Sequence, residues 1–329
     1  MNQQTIIFPV NNRAYSISGS NLEYDNLAFV KGINGEFFSY LGDTHGDKTE
    51  DSEVGGRAAM ALRLAYHHGV EALLALLAGT LQAPNAIVAW LPLCNTQDLR
   101  EIVAAINRKD TALLHLLKMS EVSWHGLARI INQFQVPEGT PEHVAAFGDV
   151  WQHLAKQFLY DGNQSEYNAI KHGFRASAGG FMNMKFKATD GTEHHFEGSK
   201  FGSRFFVPVD VPRAPKGNLR LKRCAINWKP EGLVDSLHMI AMSINNVHMF
   251  LRHINGDKSE LRMMFPTLKN PGSILGFVAD GPDVIGFDYV EDITPSSIFP
   301  TQPKMLEQIQ ETIARDKQHN APVVPVLPA

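Results

Sequence analysis

The chain has 329 residues and a formal net charge of −4 at pH 7. Hydrophobic residues make up 44% of it and charged residues 19%, a composition that excludes a disordered protein and predicts a folded one. The negative net charge excludes a general attraction to nucleic acid, so binding to nucleic acid would need a local basic surface.

The first 56 residues contain short apolar runs separated by Asn and Gly, a pattern typical of strands and turns. We predict strands within residues 5–10, 14–17 and 36–41, packed on a β region later in the chain. Residues 42–53 are rich in Asp, Gly, Thr and Glu, which indicates a mobile loop before the first long helix.

Residues 57–178 are predicted to form a helical domain, with a bundle over about residues 57–175. From Arg57 to Gln82 the chain has no proline and is rich in Ala, Leu and Met, which favours one long helix. Pro84 ends it, because proline restricts the preceding residue to extended angles. This helix is apolar on nearly every side, so we expect it at the centre of the bundle. Further helices are predicted at 96–107, 123–134, 140–159 and 164–172.

Residues 179–300 are predicted to form a mainly antiparallel β region. The apolar pattern changes to a period of two, and further strands are expected at 261–265 and 273–278. A long helix with an apolar stripe is predicted within this region at 231–253. A polar helix at 304–317 and a Pro-rich tail occupy residues 301–329. The sequence thus predicts an α+β fold, in which a helical bundle packs with a β region that also carries a long helix.

The sequence contains no motif for a cofactor or a membrane span, and its one alignment of potential metal ligands, Glu193, His195 and Glu197 on a predicted strand, is explained more simply by a solvated strand face. Its two cysteines, Cys94 and Cys224, lie far apart and have no neighbouring ligands at metal-binding spacing. Phosphate-binding loops, dinucleotide fingerprints and zinc-protease motifs are absent. The first residues do not form a secretory signal, and the most apolar stretch, 70–81, is too short to cross a bilayer. We expect a cytoplasmic protein with no cofactor, no metal and no membrane contact.

Polar side chains occur on one face of the apolar central helix. Arg63, His67 and Glu71 are spaced four residues apart, so they lie one above the other on that face. Burying a cation, an imidazole and a carboxylate costs several kcal/mol unless the groups pair with one another or with a polar partner. These residues therefore either satisfy one another or face a polar ligand.

A second polar face occurs near the end of the helix that closes the bundle. Asn168, His172 and Arg175 are spaced four and three residues apart, and Lys171 lies beside them. Gly173 indicates that the helix ends there. A Lys and a His are also favourable at the negative end of a helix, an interpretation that needs no ligand.

If the two faces meet, their combined chemistry suits a phosphodiester. His67 would take a proton from a ribose hydroxyl, His172 or Lys171 would protonate the leaving oxygen, and no metal would be required. Glu71 would orient His67 or raise its basicity. The remaining residues are candidate phosphate ligands, with Arg63 as a bidentate donor. They are Arg63, Asn168, Lys171 and Arg175.

Two functions remain open at this stage. In the first, a polar pocket in the helical bundle holds RNA or another phosphate-bearing ligand, and the protein cleaves RNA without a metal. In the second, the protein is a non-enzymatic interaction or regulatory protein, and its buried Arg, His and Glu side chains set the register of the helices. The apolar helix at 57–82 would also suit a homodimer interface if its own chain leaves it uncovered.

Overall fold

The structure is a computed structural model. It describes residues 4–51, 53–133, 141–173, 175–179, 183–187, 190–197, 201–210, 219–260, 262–265 and 289–291, and positions 307, 311 and 314. Helices dominate this part of the chain and small antiparallel sheets accompany them, so the predicted α+β fold class is confirmed.

The described elements follow local sequence signals. Asn95 and Ser123, for example, accept backbone N–H groups at the starts of two helices. None of the described helices is both long and apolar enough to cross a membrane. The described helices are α1 (Leu22–Lys31), α2 (Glu36–Gly46), α3 (Gly55–Gln82), α4 (Ile87–Leu93), α5 (Thr96–Asn107), α6 (Trp124–Asn132), α7 (Pro141–Leu159), α8 (Asp161–Lys171) and α9 (Pro230–Ile254). The described strands are β1 (Gln4–Val10), β2 (Arg13–Gly19), β3 (Ala176–Ala178), β4 (Asn183–Lys187), β5 (Glu193–Glu197), β6 (Gly202–Asp210), β7 (Leu219–Asn227) and β8 (Tyr289–Glu291).

Helix α3 is the central helix, as its apolar surface predicts. It packs against α2, α5, α7, α8 and α9. A Cβ atom at Gly69 would lie 3.2 Å from side-chain atoms of both Phe38 and Ile240, and one at Gly79 would lie 2.9 Å from the ring of Trp90. Close packing at these two glycines outweighs their low helix propensity. The central position of α3 carries its polar residues into the interior.

Helix α9 confirms the helix predicted at 231–253 and its apolar stripe. Leu233, Leu237 and Leu251 are each at most 1% exposed. The helix packs on α2 and α3, and Ser243 accepts a hydrogen bond of 3.0 Å from the indole of Trp151 in α7. Its partners are therefore helices, whereas the sequence placed it in the β region. Amphipathicity indicates a buried face but does not identify what covers it.

The amino-terminal segment forms a hairpin followed by two helices. β1 and β2 pair in antiparallel register, from Gln4 with Gly19 to Val10 with Arg13. The strand predicted at 36–41 is wrong, because α2 covers these residues and the first part of the predicted loop at 42–53. Phe38 of α2 is buried and meets α3 at His68, so tertiary packing overrides the strand preference of this aromatic segment.

The hairpin turn is held on the end of α3. Gln82 is fully buried; its Nε2 donates to the Asn11 carbonyl at 2.8 Å and its Oε1 accepts from the Asn11 N–H at 2.9 Å. The indole of Trp90 in α4 donates to the Pro9 carbonyl at 3.1 Å. The hairpin thus contacts the helical core, whereas its apolar runs predicted packing on the β region.

The contacts divide the chain into two compact units. The larger unit comprises residues 1–205 and 225–286, and the smaller one residues 206–224 and 287–329. In the larger unit β3 pairs with the start of β6, Ala176 opposite Phe205, and β4 pairs with β5; both pairs are antiparallel. In the smaller unit β7 pairs with β8, also antiparallel, with Leu221 opposite Glu291.

Few of the residues in the predicted carboxyl-terminal elements belong to the described part of the chain. Residues 262–265 form no strand, so the strand predicted at 261–265 is wrong there. Met264 instead exchanges two hydrogen bonds, of 2.7 and 2.8 Å, with the Asn246 side chain of α9. The strand predicted at 273–278 and the Pro-rich tail lie outside the described residues. The helix predicted at 304–317 is described only at positions 307, 311 and 314.

Candidate functional site

The polar faces of α3 and α8 meet at a buried ion pair. Arg63 donates from Nε and Nη2 to the Oε2 atom of Glu166, at 3.0 and 2.6 Å. Nη2 also approaches Asn163 Oδ1 at 3.3 Å. Both charged side chains are fully buried. A buried charge of this kind requires a partner, and each of these two side chains supplies it for the other.

The other carboxylate oxygen of Glu166, Oε1, accepts two hydrogen bonds from outside α3. The Ser203 hydroxyl of β6 and the Trp228 indole N–H, the latter at 3.2 Å, donate to Oε1. Burial raises the pKa of the Glu166 carboxyl, but the charge of Arg63 and the hydrogen bonds from His67 and Arg63 outweigh burial and lower that pKa to about 2. Glu166 is therefore an ionised carboxylate at neutral pH.

His67 lies between this buried network and the surface. Its Nε2 atom is 3.0 Å from Glu166 Oε2, which can only accept, so Nε2 carries the proton. Its Nδ1 atom has no hydrogen-bond partner in the described part of the chain and is accessible to solvent. Burial and the nearby Arg63 charge lower the pKa of His67 below its ordinary value, so its ring is neutral at pH 7 and Nδ1 is a proton acceptor.

A second polar pair lies beside His67. The Tyr167 ring stacks on the His67 ring with their centres 5.2 Å apart, and its hydroxyl donates to Glu71 Oε2 at 2.9 Å. Burial raises the pKa of Tyr167, and the Glu71 charge raises it further, so the phenol keeps its proton. The Lys171 ammonium lies 5.4 Å from the centre of the same ring. His67 and Lys171 are therefore both neighbours of Tyr167.

These side chains border a cleft between α3 and α8, called here the α3–α8 cleft. Its volume is about 40 Å³ for the centre of a water molecule, which is room for a few waters or one small polar group. Arg100 belongs to its wall but is occupied, because it donates to Phe158 O, Leu159 O and Asp161 Oδ1 at 2.8 to 3.0 Å. The lining residues are Tyr66, His67, Val70, Glu71, Thr96, Arg100, Gln157, Phe158, Asn163, Gln164, Tyr167, Asn168 and Lys171.

The structure brings together part of the residue set derived from sequence. His67, Glu71, Asn168 and Lys171 all line the cleft. Glu71 contacts Tyr167 and Thr96, at 2.9 and 3.4 Å, and no hydrogen bond joins it to His67. The carboxylate that orients His67 is therefore Glu166, which corrects the orienting role predicted for Glu71, whereas the Glu71 charge does raise the pKa of His67 as predicted.

Three predicted residues lie outside the cleft lining. Arg63 was expected to hold a phosphate, but its fully buried guanidinium is engaged by Glu166, so this expectation is wrong. His172 and Arg175 are exposed at and beyond the carboxyl end of α8. His172 follows the last residue of the helix and does not line the cleft, whereas Asn168 and Lys171 do.

Sequence reasoning missed the residues that organise the site. Asn163, Glu166 and Ala169 are the buried residues of α8, spaced three apart, and this is the face that meets Arg63. The signal was a buried arginine in an apolar helix, which requires a carboxylate somewhere in the chain. Several glutamates meet that requirement in the sequence, and only the packing of α3 on α8 selects Glu166.

The cleft offers a proton acceptor, an ammonium group and an amide within one small space. Among the described residues, no group of three or more His, Cys, Asp or Glu side chains could hold a metal ion. No protein-family model, no curated protein and no solved structure matches the chain.

Proposed function

We propose that the α3–α8 cleft binds a phosphate-bearing ligand, with RNA as the ligand class, and that His67 acts there as a base. The observation that carries the proposal is the state of His67. A buried carboxylate holds the proton on Nε2, Nδ1 has no hydrogen-bond partner among the described residues, and the His67 side chain lines the cleft. A neutral imidazole oriented in this way by a carboxylate is suited to take a proton from a hydroxyl group.

Two donors at the cleft wall would hold an anionic ligand, and the Glu71 carboxylate in the same lining is engaged by the Tyr167 hydroxyl. Lys171 supplies an ammonium group and Asn168 an amide donor at the cleft wall. His172 and Arg175 extend the polar rim past the end of α8, where a longer polyanion would pass. The protein as a whole is acidic, so this rim would act as a local attraction for phosphates.

Cleavage of RNA would need only the groups at this cleft. His67 Nδ1 would take the proton of a ribose 2′-hydroxyl, and the 2′-oxygen would form a bond to phosphorus. The bond from phosphorus to the 5′-oxygen would break, and that oxygen would take a proton from the Lys171 ammonium. The products would be a 2′,3′-cyclic phosphate and a free 5′-hydroxyl. Glu166 would act as a positioning residue, because it fixes the His67 tautomer from the interior.

The test is cleavage of end-labelled RNA in excess chelator by the wild-type protein and two matched variants. His67→Gln removes the base and is expected to reduce cleavage about 100-fold or more. His68→Gln is the control, because His68 is the next residue on α3, is exposed and lies edge-on to Phe38. The proposal fails if folded wild-type protein neither binds nor cleaves RNA, or if both variants cleave equally.

A second candidate function rests on the fully buried part of the hydrogen-bond network around Glu166. Arg63, Glu166 and Trp228 are each at most 1% exposed and joined by hydrogen bonds, as a purely structural element would be. A non-enzymatic interaction protein would have such a network to hold α3 against α8. In that case His67→Gln would lower the melting temperature and any function together, and Lys171→Ala would change neither.

A further inference from the structure

A second recess on the larger unit is rich in basic side chains. It lies between the carboxyl end of α5 and the first turns of α6, and is called here the α5–α6 pocket. Its polar lining includes Lys109, Lys118, Glu121, Ser123, His125 and Arg129. The pocket shares no lining residue with the α3–α8 cleft.

The charges of the α5–α6 pocket do not balance. Glu121 is its one lining carboxylate, and it pairs with Lys109 at 2.8 Å. His125 Nε2 is paired with Asp149 Oδ1 at 3.0 Å. Within the described residues, Lys118 and Arg129 have neither a hydrogen-bond nor an ion-pair partner, and both are exposed. The Arg129 charge also acts on Glu121, so Lys109, Lys118 and Arg129 share one lining carboxylate on a protein of net charge −4.

The walls of the pocket are fixed by close packing. A Cβ atom at Gly126 would lie 2.8 Å from the Met119 methyl and 3.1 Å from the Glu121 carbonyl oxygen, so the loop is pressed against the first turn of α6. The Ser123 hydroxyl accepts from the Gly126 N–H at 3.1 Å and begins that helix. The positive end of α6 therefore adds to the charge of the two cations.

Lys109 is also held by its backbone. Helix α5 ends with hydrogen bonds from Lys109 N to Ile106 O and from Asp110 N to Ala105 O, and Lys109 has a φ of 57°. This left-handed position after a helix is usually occupied by glycine. The Lys109 ammonium pairs with Glu121, so the single lining carboxylate already has a partner.

The size of the pocket matches a small organic ligand. Its volume is about 470 Å³ for the centre of a water molecule, which lies within the usual range of ligand sites, whereas the α3–α8 cleft has about 40 Å³. Met119 and Ile130 give it an apolar wall beside the cations. We propose that the α5–α6 pocket binds a small phosphate-bearing molecule, with Lys118 and Arg129 on the phosphate and the apolar wall against the organic part.

Titration calorimetry of the full chain at low salt tests this pocket with three probes: inorganic phosphate, adenosine monophosphate and adenosine. We expect saturable binding of the monophosphate, weaker binding of inorganic phosphate and none of adenosine. Equal binding of inorganic phosphate and the monophosphate would overturn the role of the apolar wall. Absence of saturable binding by both phosphates would overturn the proposal.

Variants locate the binding. Lys118→Ala and Arg129→Ala each remove a hydrogen-bonding cation and are expected to weaken binding about tenfold or more. Glu121→Gln should strengthen it, because the opposing charge is removed. Lys48→Ala is the matched control, since Lys48 is exposed and outside the pocket. Lys118 and Arg129 are exposed and make no hydrogen bond or close ion pair within the described residues, so their variants should melt like the wild type. Binding that is equal in all these variants, or lost only in Lys171→Ala, would refute this pocket.

Discussion

Replacing Glu166 by Gln should destabilise the protein strongly, because the Arg63 charge would lose its counter-charge in the interior. The Glu166 carboxylate accepts five hydrogen bonds, two from Arg63 and one each from His67, Ser203 and Trp228. An amide has one acceptor oxygen. If that oxygen faces Arg63, the amide NH₂ group faces the Trp228 indole, which can only donate. One donor is then unpaired and one cation uncompensated.

The size of the loss in free energy of unfolding follows from the burial of the ion pair. Arg63 and Glu166 are both 0% exposed, and breaking such a pair by removing one partner costs about 3–5 kcal/mol. Removing both charges is less harmful, because no lone charge remains. The double variant Arg63→Met/Glu166→Gln is therefore expected to be more stable than Glu166→Gln alone, with a coupling energy of about 2 kcal/mol or more.

Urea unfolding followed by circular dichroism would measure these free energies of unfolding. Glu71→Gln serves as the control, because Glu71 lies on α3 with Arg63, is only half-buried and accepts a hydrogen bond from Tyr167 that a glutamine can also accept. Its cost should stay below about 1 kcal/mol. If Glu166→Gln costs no more than Glu71→Gln, or if the double variant is the least stable of the set, the reasoning about the buried charge is refuted.

Two further predictions concern stability. Gln82→Leu should cost about 2–4 kcal/mol in urea unfolding, because it leaves the Asn11 backbone and the Leu114 carbonyl without their buried partner; a cost below 1 kcal/mol would contradict this. Burial and the Arg252 charge lower the pKa of His248 from 6.5 to about 4, so the fold favours its neutral form. The contribution of His248 to the free energy of unfolding is therefore fully present above pH 6.5. It falls by up to about 3 kcal/mol as the pH drops to 4. His248→Leu should remove that part of the pH dependence, and an unchanged pH profile of the melting temperature would speak against it.

Long periodic segments could be predicted because their signal is local. The helices at 57–82 and 231–253 have apolar patterns that persist over many turns, and both are present as α3 and α9. Residues 36–41 are aromatic and short, so strand and helix are both compatible with the pattern. Contacts of α2 with α3 and with α9, which lies far away in the chain, select the helix.

In the candidate site, too, one part could be predicted from the sequence and another part depends on tertiary packing. The sequence by itself determined that Arg63 and His67 share a face of a helix too apolar to leave them solvated, so both needed polar partners. Which partner each residue has was decided by tertiary structure. Glu166 lies 103 positions from Arg63 and receives its hydrogen bonds only because α8 packs across α3. A periodic pattern specifies which residues of a helix are buried together, but a buried charge interacts through space, and no local spacing encodes the partner that packing brings to it.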